Sequence, residues 1–173
     1  MDKSIRQFID ELQNRQIHTT LDATILADIP DDKVELAVVD YVHAKLAGCQ
    51  GDEVEVLASL PEGVRALYLT WGVETEVING GFSRYYWKWI GQFAQQAVAA
   101  FEFFAAHEHA ELMREANRAR AEEGAAVGDH GQHEATEEFS DAYLEERFYQ
   151  LDESLSALRI ARIRSHPALF SGD

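Results

Sequence analysis

The side chains in this sequence best suited to chemistry are histidines and carboxylates. His107, His109, His130 and His133 offer imidazole groups. His130-x-x-His133 with Asp129 has the spacing of metal ligands, and imidazole with carboxylate suits several divalent metals. However, His107 and His109 stand at i and i+2 of an expected helix and so do not share a face. Residues 129–133 lie in a glycine-bounded stretch with no hydrophobic period. Surface histidine is the favoured reading, and no metal site or cofactor is expected. Glu74, Glu76 and Glu102 would be the paired carboxylates of a general acid–base site. No nucleophile, phosphate loop or oxyanion donor accompanies them at a recognised spacing, since GxSxG, HExxH and P-loop signatures are all missing. Cys49 has no cue for activation and reads as a small core or surface residue. Phe82, Tyr85, Tyr86, Trp87 and Trp89 form an aromatic cluster. Aromatics that stack bases come with a positively charged groove. Here the local cations are Arg84 and Lys88 only, so core packing or self-association is favoured.

The elements that would position these residues are helical nearly throughout. Ile5, Phe8, Ile9 and Leu12 follow i, i+3, i+4, i+7 and predict a first amphipathic helix. Residues 17–30 carry little period and end at Pro30. Asp31 and Asp32 suit an N-cap and first turn. Val34, Val38, Val39, Val42 and Leu46 then form one stripe, with Gly48 as its stop. A short acidic helix is expected over 52–58. A longer one opens at Ser59 and Pro61 and ends at Asn79-Gly80-Gly81. After the aromatic cluster and Gly91, a helical stretch runs from Gln92 to about Ala121, broken near His107. Three glycines and dense charge predict a mobile acidic loop over 122–138. Two helices, about 139–150 and 152–165, complete the chain, and Pro167 stops the second. No period-2 strand or repeat is found. The expectation is an all-α protein, a single compact multi-helix domain over 1–173.

Composition narrows the function classes. The chain has 173 residues, 46% of them hydrophobic, which is globular usage and enough chain to bury a core. With 15 Lys and Arg against 31 Asp and Glu, the formal net charge is −16. That disfavours direct nucleic-acid binding, which needs a basic footprint. It also disfavours an anionic membrane surface. The most apolar stretch, residues 97–106, carries Glu102 in its middle, and no run approaches about 18 apolar residues. The opening MDKSIRQFIDEL alternates charged and apolar residues, unlike a secretory signal. One cysteine fits a reducing compartment. Together these give an expected cytoplasmic location.

The acids are concentrated. Residues 1–83 have 15 acids and 6 bases, and residues 121–153 have 11 acids and one base, Arg147. Residues 84–120 are net +1 and residues 154–173 are net +2. The charge-poor aromatic middle and the last helix are therefore expected to form the core and an oligomer contact. The acidic blocks would decorate an outer face. Solvation alone would account for acidic residues in general. Density argues against it here, because like charges at i, i+3 and i+4 cost a helix about 0.2–0.5 kcal/mol per pair. Glu134, Glu138, Asp141 and Glu145 follow that spacing almost without relieving cations. Carboxylates three or four residues apart lie about 5–6 Å from one another. Such a row is comparable to successive phosphates, on which a surface built to track DNA could dock. The candidate partner-binding acids are Asp28, Asp31, Asp32, Glu35, Asp40, Asp52, Glu53, Glu55 and Glu62 in the first block. In the second they are Glu134, Glu137, Glu138, Asp141, Glu145 and Glu146. Reversing Asp31, Asp32, Glu35 and Asp40 to Lys is expected to abolish binding and spare the fold.

A resemblance adds to this. Glu76-Val77-x-Asn79-Gly80-Gly81-Phe82 with the pair Tyr85-Tyr86 resembles the core motif of a bacterial family of helical domains, long catalogued without a function. LPEGVRALYLTW upstream and ERFYQLDESLSALRIARIRSHPALF downstream also fit, so the likeness spans roughly residues 59–170. One group of that family consists of acidic DNA mimics. The resemblance implies an all-helical homodimer that binds a helix-turn-helix transcription regulator and keeps it from its operator DNA. It does not assign individual contacts. The alternatives are a metal-dependent or acid/base enzyme, or a plain acidic interaction module.

Overall fold

A computed structural model describes residues 15–49, 51–127 and 142–172, with the side chains of 123–127 outside that description. Eight α-helices carry these residues: α1 Ala23–Asp28, α2 Asp31–Ala47, α3 Glu53–Ser59, α4 Glu62–Trp87, α5 Ala94–Phe103, α6 His107–Val127, α7 Ala142–Gln150 and α8 Leu155–Ser165. Tight helical turns at Trp89–Phe93 and Pro167–Phe170 complete them, and there is no strand among the described residues. The all-α expectation is therefore met. No helix is long and apolar enough to cross a membrane among the described residues.

The long helix α4 is the spine. It packs against α2, α5, α7 and both tight turns, while α5 and α6 pair with each other and α8 lies over α1 and α2. The α2 stripe behaves as its period predicts: Val34, Val38, Val39 and Val42 are fully buried. Each such side chain contributes about 1.5–3 kcal/mol through removal from water. The charge-poor middle supplies Phe82, Tyr85, Phe93 and Phe101 to the same core, and α8 with the final turn adds Ile163 and Phe170.

Boundaries differ from expectation in identifiable ways. The weakly periodic stretch before Pro30 contains α1, capped by Asp22, whose side chain accepts the amide of Ile25 at 2.8 Å. Six residues are too few to show a helical period. Pro30, not an aspartate, occupies the cap position of α2, so Asp31 and Asp32 fall in its first turn. Helix α6 continues to Val127, past the expected end near Ala121. Its added residues are mostly Ala and Glu, good helix formers, and one glycine costs only about 1 kcal/mol. The expected first helix and most of the expected acidic loop lie outside the described residues.

The Asn79-Gly80-Gly81 stop is real, although helical bonding resumes at once beyond it. Gly81 has φ 77° and ψ 179°, a region open essentially to glycine alone. The Asn79 amide donates to the Thr75 carbonyl at 2.8 Å, and Arg84 reaches back across the break to Glu76 at 2.7 Å. The break turns Phe82 into the core, edge-on to Phe148 of α7. Gly81→Ala is expected to destabilise by about 1–3 kcal/mol. Urea titration should show a lower midpoint at unchanged slope.

Candidate functional site

The first acidic block is built from helix starts. Asp31 and Asp32 occupy the first turn of α2, Glu53 and Glu55 that of α3, and Glu62 that of α4. Asp52 caps α3, accepting the Val54 amide at 2.8 Å. Carboxylates there meet unpaired amides and the positive end of the helix dipole, worth about 0.3–1 kcal/mol each. This explains how so many acids are tolerated with few cations. Helix α3 packs on α2. Asp28, Asp32, Glu53, Glu55 and Glu62 are exposed, and none makes an ion pair with a described residue.

Three acids of the same block have internal duties. Asp40 is 5% exposed and accepts from Arg15 Nε and, at 2.7 Å, from Nη2. That pairing holds the Arg15 guanidinium above its usual pKa, against the opposing effect of burial. Glu35 accepts from Ser156 and from Arg159 at 3.2 Å. Asp31 pairs with Arg164 at 2.7 Å, though its side chain stays mostly exposed. The four-residue reversal set is therefore corrected: lysine at Glu35 or Asp40 would oppose the arginine that each now pairs with, Arg159 or Arg15, and a loss of binding there would not separate surface from stability.

Of the second block, Glu134, Glu137, Glu138 and Asp141 lie outside the described residues. Glu146 is exposed on α7 and accepts from Gln150 at 3.1 Å, while Glu145 is half-buried and engaged. Arg147, the lone base of that block, joins α7 to α6 through Glu115. It also lies over the Tyr143 ring.

The acid–base candidates are each taken by a different arginine. Glu74 accepts from Arg159 at 2.6 Å, Glu76 from Arg84 at 2.7 Å, and Glu102 from Arg114. His107 is exposed. His109 is buried, stacked on Phe101 and edge-on to Phe148, with Nδ1 2.8 Å from Glu153. The pair His130 and His133 lies outside the described residues; among the described residues, no group of three or more His, Cys, Asp or Glu is placed to hold a metal. Cys49 is half-buried beside the Gly51 carbonyl. Among the aromatics, Phe82 and Tyr85 are core, whereas Trp87 is 66% exposed.

Glu153 caps α6 from the α7–α8 connection, accepting the amides of Glu108 at 3.0 Å and His109 at 3.1 Å. Partial burial works against its charged form. The two amides and the His109 ring outweigh that and hold the carboxyl below its usual range. A depressed folded-state pKa gives stability that is present above the unfolded value near 4.5 and is lost as pH falls through the folded value. Glu153→Gln should therefore melt below the wild type at pH 7, and the gap should shrink by pH 3.

Comparison with known proteins decides the assignment. Residues 58–166, more than half of the chain, match the family model described as DMP19-like protein. The chain belongs to the DMP19-like protein family. DMP19 is a DNA-mimic family. The match starts at the end of α3 and takes in the Gly80-Gly81 break of α4 and the arginines of α8. The acids of α2 and most of α3 precede it. No curated protein and no solved structure matches the chain.

What sequence reasoning missed in this DMP19-like chain is the arginines. Arg159 lies on the core-facing side of α8, four residues beyond buried Leu155 and four before buried Ile163. That register was the available signal. Asp40 gave a similar one, standing inside the buried run Ala37–Val42.

Proposed function

We infer that this protein is an acidic DNA mimic that binds the basic, DNA-contacting surface of a DNA-binding transcription regulator and blocks its access to operator DNA. The observation that carries this reading is the set of exposed, unpaired carboxylates at the starts of α2, α3 and α4, within a chain of net charge −16 and DMP19-like family membership. The face comprises Asp28, Asp32, Asp52, Glu53, Glu55 and Glu62, with Asp31 at its edge. The acids of 134–146 extend it in sequence. The regulator is of the helix-turn-helix type, the complex forms in the cytoplasm, and the mimic acts as a homodimer. The chain serves as one compact domain, and no catalytic group is assigned.

Surface charges on the face meet Lys and Arg that otherwise track phosphates. Affinity should then fall steeply with salt, because exposed pairs are screened over about 8 Å at physiological ionic strength. Titration calorimetry between low and high salt tests this. Affinity unchanged across that range would mean an apolar contact and would overturn mimicry.

A further inference from the structure

Arg164 stands in the last turn of α8, yet its guanidinium is spent on the turn between α1 and α2. It donates to the Leu26 carbonyl, to the Ile29 carbonyl at 2.5 Å, and from Nε to Asp31 Oδ1 at 2.8 Å, with Nη2 in ion-pair contact 2.7 Å from the same oxygen. Leu26 and Ile29 lie at the C-terminal end of α1, where carbonyls lack helical partners and the dipole is negative. Asp28 is the last residue of that helix and is exposed. A carboxylate at the negative end of a six-residue helix is unfavourable by itself. Arg164 supplies the opposing charge and the missing donors from a different helix. The same fork fixes Asp31 and thereby the first turn of α2, where Asp32 stands exposed.

We propose that Arg164 is a positioning residue for the acidic face: it locks the α1–α2 turn so that Asp28 and Asp32 stand fixed relative to each other for a basic partner. This rests on the acidic-face reading above. Fixing the groups beforehand reduces what must be ordered on binding. Lysine is no substitute, because one ammonium lacks the planar fork that reaches two carbonyls and a carboxylate together.

The test sets position against bulk charge. Arg164→Met takes the net charge from −16 to −17, so charge alone would tighten binding of a cation. Arg164→Lys leaves the charge unchanged. The probe is a blocked, alanine-based helical peptide with arginine at every fourth position, titrated by fluorescence anisotropy at low salt. Both variants should bind it about threefold more weakly than the wild type. Hydrogen exchange gives a second measurement that needs no partner. The Ile29 amide bonds to Ile25 and the Lys33 amide to Pro30 in this turn, and both should exchange about tenfold faster in both variants. Variants that bind as tightly as the wild type or tighter, or exchange unchanged at those amides, would overturn the proposal. Rescue by Arg164→Lys would overturn it too, by reducing Arg164 to its charge. If the wild type itself does not bind the peptide, the acidic-face reading fails instead, and the exchange result still decides whether the lock exists.

Discussion

Reversal of Asp28, Asp32, Glu53 and Glu55 to Lys is expected to weaken binding of the basic partner by at least about 100-fold, roughly 2.7 kcal/mol. All four are exposed, and no described residue forms an ion pair with them. Each reversal replaces an attraction of about 0.5–1 kcal/mol with a repulsion of similar size. The fold should survive, because no buried group loses a partner. A modest stability loss is expected, since Asp32, Glu53 and Glu55 lie in first helical turns and lysine there opposes the dipole by about 0.3–1 kcal/mol each. Circular dichroism should show unchanged helix content with a melting point a few degrees lower. Full binding by the well-folded variant would place the partner on another surface.

The largest stability effect is expected at Arg159. The residue is 1% exposed, and its side chain donates to Thr70 at 3.0 Å, Glu74 at 2.6 Å and Glu35 at 3.2 Å. Three helices, α2, α4 and α8, meet at this one group. Arg159→Leu removes the cation and leaves two partly buried carboxylates facing each other, a loss of about 3 kcal/mol or more. Chemical denaturation should show it directly. Adding Glu35→Gln and Glu74→Gln should recover part of the loss, because the uncompensated charges are then gone. A single variant as stable as the wild type would mean that water already carries those carboxylates. Partner affinity of Arg159→Leu, measured where it is folded, should be nearly unchanged, since this cluster lies inside the fold and not on the acidic face.

The fold was legible in the sequence wherever a helix was long enough to show its period. The α2 stripe came from spacing and the stop at Asn79-Gly80-Gly81 from its glycines. Helix α1 did not, because six residues complete under two turns. The acidic character of the site was legible as a charge count. Its division into free and internal carboxylates was not. Asp32 and Asp40 look alike in a composition, but Arg15 reaches one of them from 25 residues away. Such partners are set by tertiary packing, and Glu35 finds its own 124 residues along the chain. The same limit applied to Glu74, whose neighbouring residues in sequence suggested acid–base work and whose neighbour in space is an arginine.

The central claim is that the exposed acids stand in for DNA. The most direct measurement is a pull-down from native cell extract at low salt, eluted with a salt step and identified by mass spectrometry, with duplex DNA added as competitor. Release by salt of a helix-turn-helix regulator, displaced from this protein by its own operator DNA, is the result expected. Recovery of partners without a basic face, or of a regulator that binds operator DNA and this protein together, would contradict it.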